Sequence, residues 1–157
     1  MNAVTLRRFA RGDAPWLDTW FAVAADRVGY DLVDLNAPGA SLLARLESEP
    51  SLMARVIERD GDRAGVIVCR AGDQSRGRAI IEIVATPPDS ARRGSGMIAA
   101  AAIEDELRTA GAHEVCAPAS AAHGIAVYFW IRLGYRPLQR TEWPCERAGV
   151  AWLMRSI

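Results

Sequence analysis

Hydrophobic residues in this chain recur at two spacings, every second residue in some segments and every third or fourth in others. The short β-type runs predict strands at residues 4–9, 52–60, 63–70, 79–85, 113–117, 135–142 and 150–157. The helical spacing predicts helices at residues 13–28, 41–49, 95–110 and 120–133. Asp13 is the expected cap of the first helix, with Pro15 just inside it.

The order of these elements, β-α-α-β-β-β-α-β-α-β-β, predicts an α/β (α+β) fold. Asp60-Gly61-Asp62 is typical of a hairpin turn, so the strands on either side should pair antiparallel and continue into a meander. The strand at 113–117 follows a helix and should return parallel to its predecessor, which completes a right-handed β-α-β unit. Such units bind ligands at the carboxyl ends of their strands.

A short polar loop joins the strand at 79–85 to the next helix; we call residues 86–97, TPPDSARRGSGM, the glycine loop. The first N–H groups of a helix have no intrahelical partner, and the helix dipole adds positive charge there. Two glycines would let an anion approach this backbone, and two arginines add charge and donors. These residues are Arg92, Arg93, Gly94 and Gly96. The loop predicts a site for a phosphate-bearing cofactor, and a tight turn with solvated arginines is the alternative.

Two other kinds of phosphate-binding loop are excluded. The letters GSGMIA imitate the dinucleotide fingerprint, which needs an acidic residue about twenty positions further on, where this chain has the surroundings of Cys116. The nucleoside-triphosphate loop needs a lysine, and all 19 basic residues of this chain are arginine. The lack of lysine also excludes Schiff-base chemistry, such as that of pyridoxal phosphate enzymes.

Composition sets further limits. The 157 residues predict one domain, covering 1–157. Nineteen basic residues balance 19 acidic ones, so we expect no general attraction to nucleic acid or to a membrane. Cys69, Cys116 and Cys145 lack metal-ligand spacing, so we interpret them as reduced thiols and predict no metal. The sequence shows neither a signal segment nor an apolar run of membrane-spanning length, which favours a cytoplasmic protein.

Two motifs resemble those of the GNAT superfamily of N-acetyltransferases. The acetyl-CoA loop of that family follows V-x-P-x-x-[QR]-x-x-G-x-[GA]; Pro88, Gly94 and Gly96 match it, whereas Thr86 and Ala91 depart from it. The second motif, N-x-x-A-x-x-[FL]-Y-x-x-x-G-[FY], is similar to HGIAVYFWIRLGY. Its matches are Ala126, Phe129, Gly134 and Tyr135, and its departures are His123 for asparagine and Trp130 for tyrosine. The element order extends the resemblance over the whole chain.

The resemblance implies a mixed, mostly antiparallel sheet whose central parallel strands splay apart and are flanked by helices. It implies an acetyl-CoA-dependent N-acyltransferase that transfers the acetyl group to an amine of a small molecule or peptide by direct attack. A homodimer is left open. The implied cofactor-binding residues are Val84, Ala85 and Thr86 for the pantetheine arm, Arg92, Arg93, Gly94, Ser95, Gly96 and Met97 for the pyrophosphate, and His123 and Trp130 along the cofactor's path.

Glu82 is the candidate general base, because an acid inside the apolar run IIEIV must either face a site or carry a burial cost. Simple alternation puts Ile80, Glu82 and Val84 on one face, and an outward-facing acid on a half-exposed sheet is the alternative. The position of the family's usual acid is occupied by Trp130, whose indole cannot protonate a thiolate. Tyr128 is the nearest substitute, but it points about 200° around the helix, so orientation of the reactants alone is the other explanation.

Residues 13–49 contain the one charge asymmetry of the chain, with seven acids against two arginines. By the family resemblance this segment borders the acceptor side, so its negative charge would favour a cationic amine. Tyr30, Asp31 and Asp34 lie in its loop and are the candidate acceptor-binding residues. The alternative is that these acids are solvated and that Asp13 only caps a helix.

Three functions therefore stay open. The first is an N-acetyltransferase, and the second is a non-catalytic CoA-binding or interaction module that kept the fold and lost the acid. Thiol release that depends on an added amine separates these two. The third is a protein-interaction domain without a ligand, which would show no thermal shift with acetyl-CoA.

Overall fold

A seven-stranded sheet organises the part of the chain that this computed structural model describes, residues 3–28, 33–72, 76–91 and 93–157, without the side chains of 25–28. The strands are β1 Val4–Arg8, β2 Leu52–Arg59, β3 Asp62–Arg70, β4 Arg78–Ala85, β5 Glu114–Ser120, β6 Arg136–Pro137 and β7 Val150–Ser156. The helices are α1 Ala14–Asp18, α2 Phe21–Val28, α3 Pro38–Ser48, α4 Ser95–Thr109 and α5 Gly124–Arg132. Short 3-10 turns lie at Arg11–Asp13, Pro88–Ser90 and Arg140–Glu142.

The strand order is β1-β2-β3-β4-β5-β7-β6, and every neighbouring pair is antiparallel except β4 and β5. The predicted mixed sheet, meander and parallel β-α-β unit are thereby confirmed. The β2–β3 hairpin turns at Asp60 and Gly61, whose φ angles are 53° and 91°. Both angles are positive, as a two-residue turn that matches the strand twist requires.

The parallel pair separates near its middle. β4 and β5 pair over three residues only, ending at Ile80 and Cys116. Beyond that point β4 stays paired with β3, and β5 stays paired with β7. The strands therefore diverge toward their carboxyl ends, and we call the gap between residues 81–85 of β4 and 117–120 of β5 the fork. The splayed central pair that the family resemblance implies is present.

Glu82 is the extra residue of a β-bulge in β4. Its neighbours Ile81 and Ile83 pair with consecutive residues of β3, so Glu82 is left without a ladder partner. A bulge changes the face on which each following side chain lies. Ile81 packs in the core beneath α4, whereas Ile83 packs in the core beneath α1–α3. The simple alternation expected for β4 is therefore wrong beyond Ile81, and Val84 packs on the α4 side.

Each face of the sheet has its own core. Ile103 and Leu107 of α4 pack against one face, together with Trp130 of α5. Leu17 of α1 and Leu42 of α3 pack against the other face. Burying one such side chain fully contributes about 1.5–3 kcal/mol, so the helices are held mainly by these contacts. Among the described residues, none of the helices combines the length and the apolar character needed to cross a bilayer.

The first predicted helix is broken into α1 and α2, and Asp13 does not cap it through its side chain. The Asp13 carboxylate instead accepts two hydrogen bonds from the Arg7 guanidinium, both at 2.8 Å, and one from the Ala10 N–H. The Arg7 hydrogen bonds lower the pKa of Asp13 below its ordinary value. Asp13 therefore occupies the predicted position before α1, with Pro15 just inside the helix, but its carboxylate binds Arg7 and the Ala10 N–H instead of the helix N–H groups.

Other boundaries also differ from prediction. α3 begins at Pro38 rather than at residue 41, in a position where proline suits a helix start. β5 continues to Ser120, so α5 begins only at Gly124. The strand predicted at 135–142 shrinks to β6, which lies at the edge of the sheet. An edge is where the missing N–H of Pro137 costs little.

Candidate functional site

The glycine loop lies at the carboxyl end of β4 and leads into α4. Gly94 precedes the helix with φ of 80° and, as a glycine, makes no side-chain cap hydrogen bond. The first intrahelical bond runs from the Ile98 N–H to the Gly94 oxygen at 3.2 Å. The N–H groups of Ser95, Gly96 and Met97 therefore have no intrahelical acceptor and are available to an anion.

The two glycines of the loop have different roles. A Cβ on Gly94 would meet nothing within 4 Å, so this residue faces open space and its positive φ is what requires glycine. A Cβ on Gly96 would lie 3.2 Å from Val84 Cγ1 and 3.5 Å from Phe129 Cε2. Gly96 thus lets β4, α4 and α5 meet at one point, a packing reason that the sequence did not reveal.

Arg59, at the end of β2, fixes the position of the glycine loop by hydrogen bonds. Its Nη1 donates to the Arg93 carbonyl oxygen at 2.6 Å and to Ser95 Oγ at 3.0 Å. Ser95 is buried, so its hydroxyl serves this tether and only its backbone faces the anion position. The Arg93 side chain is exposed beside the loop. No local pattern marked Arg59, because its partners lie 34 and 36 residues away.

A polar cavity of about 580 Å³ lies next to this tether. Its lining includes Arg59, Arg63, Arg93, Ser90 and Ser95. Two carboxylates, Asp60 and Asp62, also line it, so the charge of its wall is mixed. Among the described residues, no three His, Cys, Asp or Glu side chains come together as a metal site would require.

The fork and the loop open at the same end of the sheet. Val84 and Ala85 pair with β3 on one side, and no β5 pairing is present on the other, so their backbone groups border the fork. Thr86 follows directly. His123 is exposed at the start of α5, three residues after the end of β5, and its side chain makes no cap hydrogen bond. The predicted backbone and histidine positions are thus brought together, whereas Arg92 lies outside the described residues.

The two aromatic candidates on α5 are placed differently, Trp130 in the core and Tyr128 at the surface. Trp130 is 5% exposed and packs between Phe129 and Tyr135, with ring centroids 5.0 Å and 4.8 Å away. This position gives no support to a cofactor contact by the indole. Tyr128 is 60% exposed, with the Arg132 guanidinium 5.9 Å above its ring. Its hydroxyl therefore lies on the outer face of α5, as the helical geometry predicted.

Tyr135 is also unavailable as a proton donor. Its hydroxyl donates to Glu104 Oε1 at 2.7 Å inside the core. Burial, followed by the neighbouring Glu104 charge, raises the pKa of Tyr135. Arg155 Nη1 donates to the other Glu104 oxygen at 3.2 Å. This group pins α4 to β7 and to the end of α5.

Glu82 lies at the fork, and its side chain has no solvent exposure. Arg147 donates to it twice, from Nη1 to Oε2 at 2.8 Å and from Nη2 to Oε1 at 3.2 Å. Arg70 Nε donates to Oε1 at 3.3 Å. Both carboxylate oxygens are therefore occupied by guanidinium hydrogen bonds, and a proton from an acceptor would have to displace one of them.

The ion pairs continue beyond Glu82. Arg70 Nη1 lies 2.7 Å from Glu49 Oε2, and Arg45 Nε donates to Glu49 Oε1 at 2.6 Å. The hydrogen bonds from Arg45 and then Arg70 lower the pKa of Glu49. We call Arg45, Glu49, Arg70, Glu82 and Arg147 the charge network. Sequence reasoning found Glu82 but missed its arginine partners, which come from distant segments.

The acids of the predicted cationic-acceptor pocket are largely engaged elsewhere. Asp18 accepts the Gly39 N–H at 2.8 Å, and Asp34 accepts the Asn36 N–H at 2.9 Å. Asp13 pairs with Arg7. Of the three predicted acceptor-binding residues, Asp34 is exposed in a turn, and Tyr30 and Asp31 lie outside the described residues. The cationic-pocket interpretation stays a prediction.

Cys116 is buried at the base of the fork, where β5 pairs with Ile80. Burial raises the pKa of the Cys116 thiol to about 11. The buried Cys69 thiol, on the neighbouring β3, has its pKa raised to about 12 for the same reason. A thiol with such a pKa is almost entirely protonated near neutral pH, so neither cysteine is prepared as a nucleophile.

The sequence and the fold were compared with known protein families and solved structures. The model of the acetyltransferase (GNAT) family matches residues 15–135. Among solved structures, an acetyltransferase from Thermus thermophilus has a TM-score of 0.79 and 20% identity, with complete coverage of both chains. A search of curated proteins found no match.

Two further structures share the fold. An aminoglycoside acetyltransferase in complex with coenzyme A and kanamycin has a TM-score of 0.77 and 16% identity, covering 98% of this chain and 95% of the other. N-acetylglutamate synthase from Neisseria gonorrhoeae, in complex with coenzyme A and N-acetyl-glutamate, has a TM-score of 0.74 and 18% identity. That match covers 99% of this chain and 35% of the other. At these identities the likeness concerns the fold.

Proposed function

This chain belongs to the acetyltransferase (GNAT) family, and we propose that it transfers the acetyl group of acetyl-CoA to the amine of a small molecule or peptide. The amine nitrogen attacks the thioester carbonyl, a C–N bond forms and the C–S bond breaks. The products are an N-acetyl amide and the free thiol of CoA, and the proton that the nitrogen loses balances the thiolate that leaves.

The observation that carries this proposal is the coincidence of the fork and the glycine loop at one end of the sheet. The free N–H groups of Ser95, Gly96 and Met97 suit a pyrophosphate, and exposed Arg93 adds positive charge. The β4 backbone from Val84 to Thr86 borders the fork, where an extended pantetheine arm could complete the ladder. His123 lies at the same end and is proposed to contact the cofactor.

Direct attack is favoured over an acyl-enzyme on either of the two buried cysteines. Cys69 and Cys116 are buried thiols with raised pKa values, so neither supports a covalent intermediate. Glu82 as general base stays a prediction, and its two guanidinium partners weigh against it. We therefore assign most of the acceleration to orientation of the amine and thioester, which can supply several kcal/mol, with proton transfer to and from solvent.

A non-catalytic CoA-binding module is the second candidate. The observation that favours it is Trp130, which replaces the family's usual tyrosine and is buried in the core. Among the described residues no tyrosine hydroxyl reaches the fork, since Tyr128 points to solvent and Tyr135 is bound to Glu104. Such a protein would bind CoA without turning it over.

Two measurements test the proposal together. Acetyl-CoA should raise the thermal unfolding temperature in a concentration-dependent way, because a ligand that binds only the folded state stabilises it. Thiol release from acetyl-CoA should then depend on an added amine across a panel of acceptors. A thermal shift with no release by any amine would support the non-catalytic module, and no shift at all would contradict CoA binding.

A further inference from the structure

The charge network lies on the acceptor side of the fork. Glu82 is the second residue past Ile80, where the pairing of β4 with β5 ends. Arg70 joins Glu82 to Glu49, which follows α3, so the network lies on the face covered by α1–α3. The glycine loop leads into α4 on the opposite face. An acceptor that meets a thioester in the fork from the α1–α3 side would therefore pass the network.

A ligand on that side can reach the arginines but not the carboxylate. The Glu82 side chain is 0% exposed, whereas the side chains of Arg70 and Arg147 are 25% and 26% exposed. Glu82 therefore acts as the buried anchor, and its two partners form the reachable surface. The groups within reach beside Glu82 are therefore guanidiniums, and the partly exposed Glu49 lies beyond Arg70, paired with Arg70 and Arg45.

The guanidiniums of Arg70 and Arg147 are already held in position by contacts within the protein. Arg147 lies 5.1 Å above the Trp152 ring in addition to its two bonds to Glu82. The Trp152 Nε1 donates to the Cys145 oxygen at 2.9 Å, which ties down the loop that carries Arg147. Arg70 uses Nε on Glu82 and Nη1 on Glu49, and a guanidinium has five N–H donors in one plane. Donors fixed in this way bind a planar carboxylate at little entropic cost.

Several neighbouring acids are held by contacts of their own. Asp13 is bound to Arg7, Asp18 to the Gly39 N–H and Asp34 to the Asn36 N–H. Glu49 is itself held between Arg45 and Arg70. These contacts hold the carboxylates in place within the helical segment, and the partly exposed groups that contact Glu82 directly are the guanidiniums of Arg70 and Arg147.

We propose that Arg70 and Arg147 bind a carboxylate of the acceptor, so that the acceptor is an amine that also carries an acid group, as amino acids do. This inference rests on the proposed acetyl transfer and names its substrate class. Glu82 is then a positioning residue, because it orients both guanidiniums and touches neither reactant. The acid group would hold the molecule while its amine reaches the thioester.

Matched acceptors test this directly. Arginine and agmatine, or lysine and cadaverine, differ only in the carboxylate. Amine-dependent thiol release should show about tenfold or higher kcat/KM for the carboxylate-bearing member of each pair, as expected for a charge-assisted contact. Arg147→Gln should raise KM for that member about tenfold and leave the other member nearly unchanged. A dipeptide and its C-terminal amide, compared in the same way, separate a free amino acid from a peptide.

Arg140→Gln is the matched control, since Arg140 stacks on Trp143 in the same region but pairs with exposed Glu146. It should keep the preference of the parent. If Arg147→Gln fails to fold, the acceptor pairs on the parent protein and Arg147→Lys decide the question. Equal turnover of both members, or preference for the decarboxylated ones, overturns the carboxylate site and leaves acetyl transfer standing. Bound acetyl-CoA with no thiol release by any amine overturns the transfer itself and this inference with it.

Discussion

The two sides of the fork are built from different groups. The glycine loop offers backbone N–H groups of consecutive residues, Ser95 to Met97, and few of its side chains contribute. The charge network is made only of side chains, and they come from α3 and the residue after it, from β3 and β4, and from the loop before β7. A backbone site tolerates most substitutions except at its glycines. A buried ionic network is disturbed by the loss of any member. Substitutions on the two sides should therefore have different effects, on CoA affinity in the glycine loop and on stability in the charge network.

The largest effect is expected at Glu82. Glu82→Gln removes the buried carboxylate and leaves two guanidiniums without it, which should lower the free energy of unfolding by about 3 kcal/mol. Urea unfolding measures this, with Glu146→Gln as the control, because Glu146 forms an exposed pair with Arg140 and should matter far less. Unchanged stability, together with a large loss of kcat at unchanged KM, would instead support Glu82 as the general base.

The next largest effect is expected in the glycine loop. Gly96→Val adds side-chain atoms 3.2 Å or less from Val84, and overpacking of this kind costs about 1–3 kcal/mol. The start of α4 must shift, so affinity for CoA should fall about tenfold or more while the stability of the network stays intact. Calorimetry with CoA measures the loss, and Gly12→Val, where a Cβ meets nothing within 4 Å, is the control. Full affinity in a folded Gly96→Val protein would refute the assignment of the loop.

A smaller effect on the same side is expected from Arg59. Arg59→Ala removes the hydrogen bonds to the Arg93 carbonyl and to Ser95 Oγ, so the loop should lose its fixed position. KM for acetyl-CoA should rise several-fold with kcat nearly unchanged, because one hydrogen bond contributes about 1 kcal/mol. Arg108→Ala, an exposed arginine on α4, should change neither constant. A fall in kcat alone would mean that Arg59 does not act through the loop.

The smallest effect is expected from Arg93, whose side chain is exposed. Arg93→Ala should weaken CoA several-fold, since an exposed charge near a helix start contributes at most about 1 kcal/mol. The same substitution should have a smaller effect on the affinity for a pantetheine fragment that lacks the nucleotide phosphates. Competition binding with the two ligands makes the comparison. Equal losses would show that Arg93 does not contact phosphate.

The difference between the two sides also explains what the sequence could predict. The glycine loop was found because its strand, glycines and helix start follow one another within one segment, and its chemistry depends on backbone groups. The charge network was not found, since Arg147 and Glu82 are 65 residues apart and Arg70 has no distinguishing neighbours. The contact of Arg59 with the glycine loop was not predicted for the same reason. A single acid in an apolar strand pointed to Glu82, but nothing local revealed what it binds.

For the fold, too, local features were predicted from the sequence and features that depend on distant contacts were not. Hydrophobic spacing predicted the order of elements and the parallel pair correctly, except that the first predicted helix is broken into α1 and α2. It missed the bulge at Glu82, which moves Val84 to the α4 side, because a bulge leaves no mark in an unbroken apolar run. Nor did the hydrophobic spacing predict the ion pair between Arg7 and Asp13, because this pair forms only when β1 lies beside the first helix.

Acetyl transfer to an amine is tested most directly by following the acetyl group. Acetyl-CoA labelled with ¹³C in the acetyl carbonyl is incubated with the protein and a carboxylate-bearing amine, and the products are analysed by mass spectrometry and NMR. We predict that the label appears in an amide of the acceptor in equal amount to the thiol released. Label recovered as free acetate, or no thiol release while acetyl-CoA remains bound, would contradict the proposed transfer.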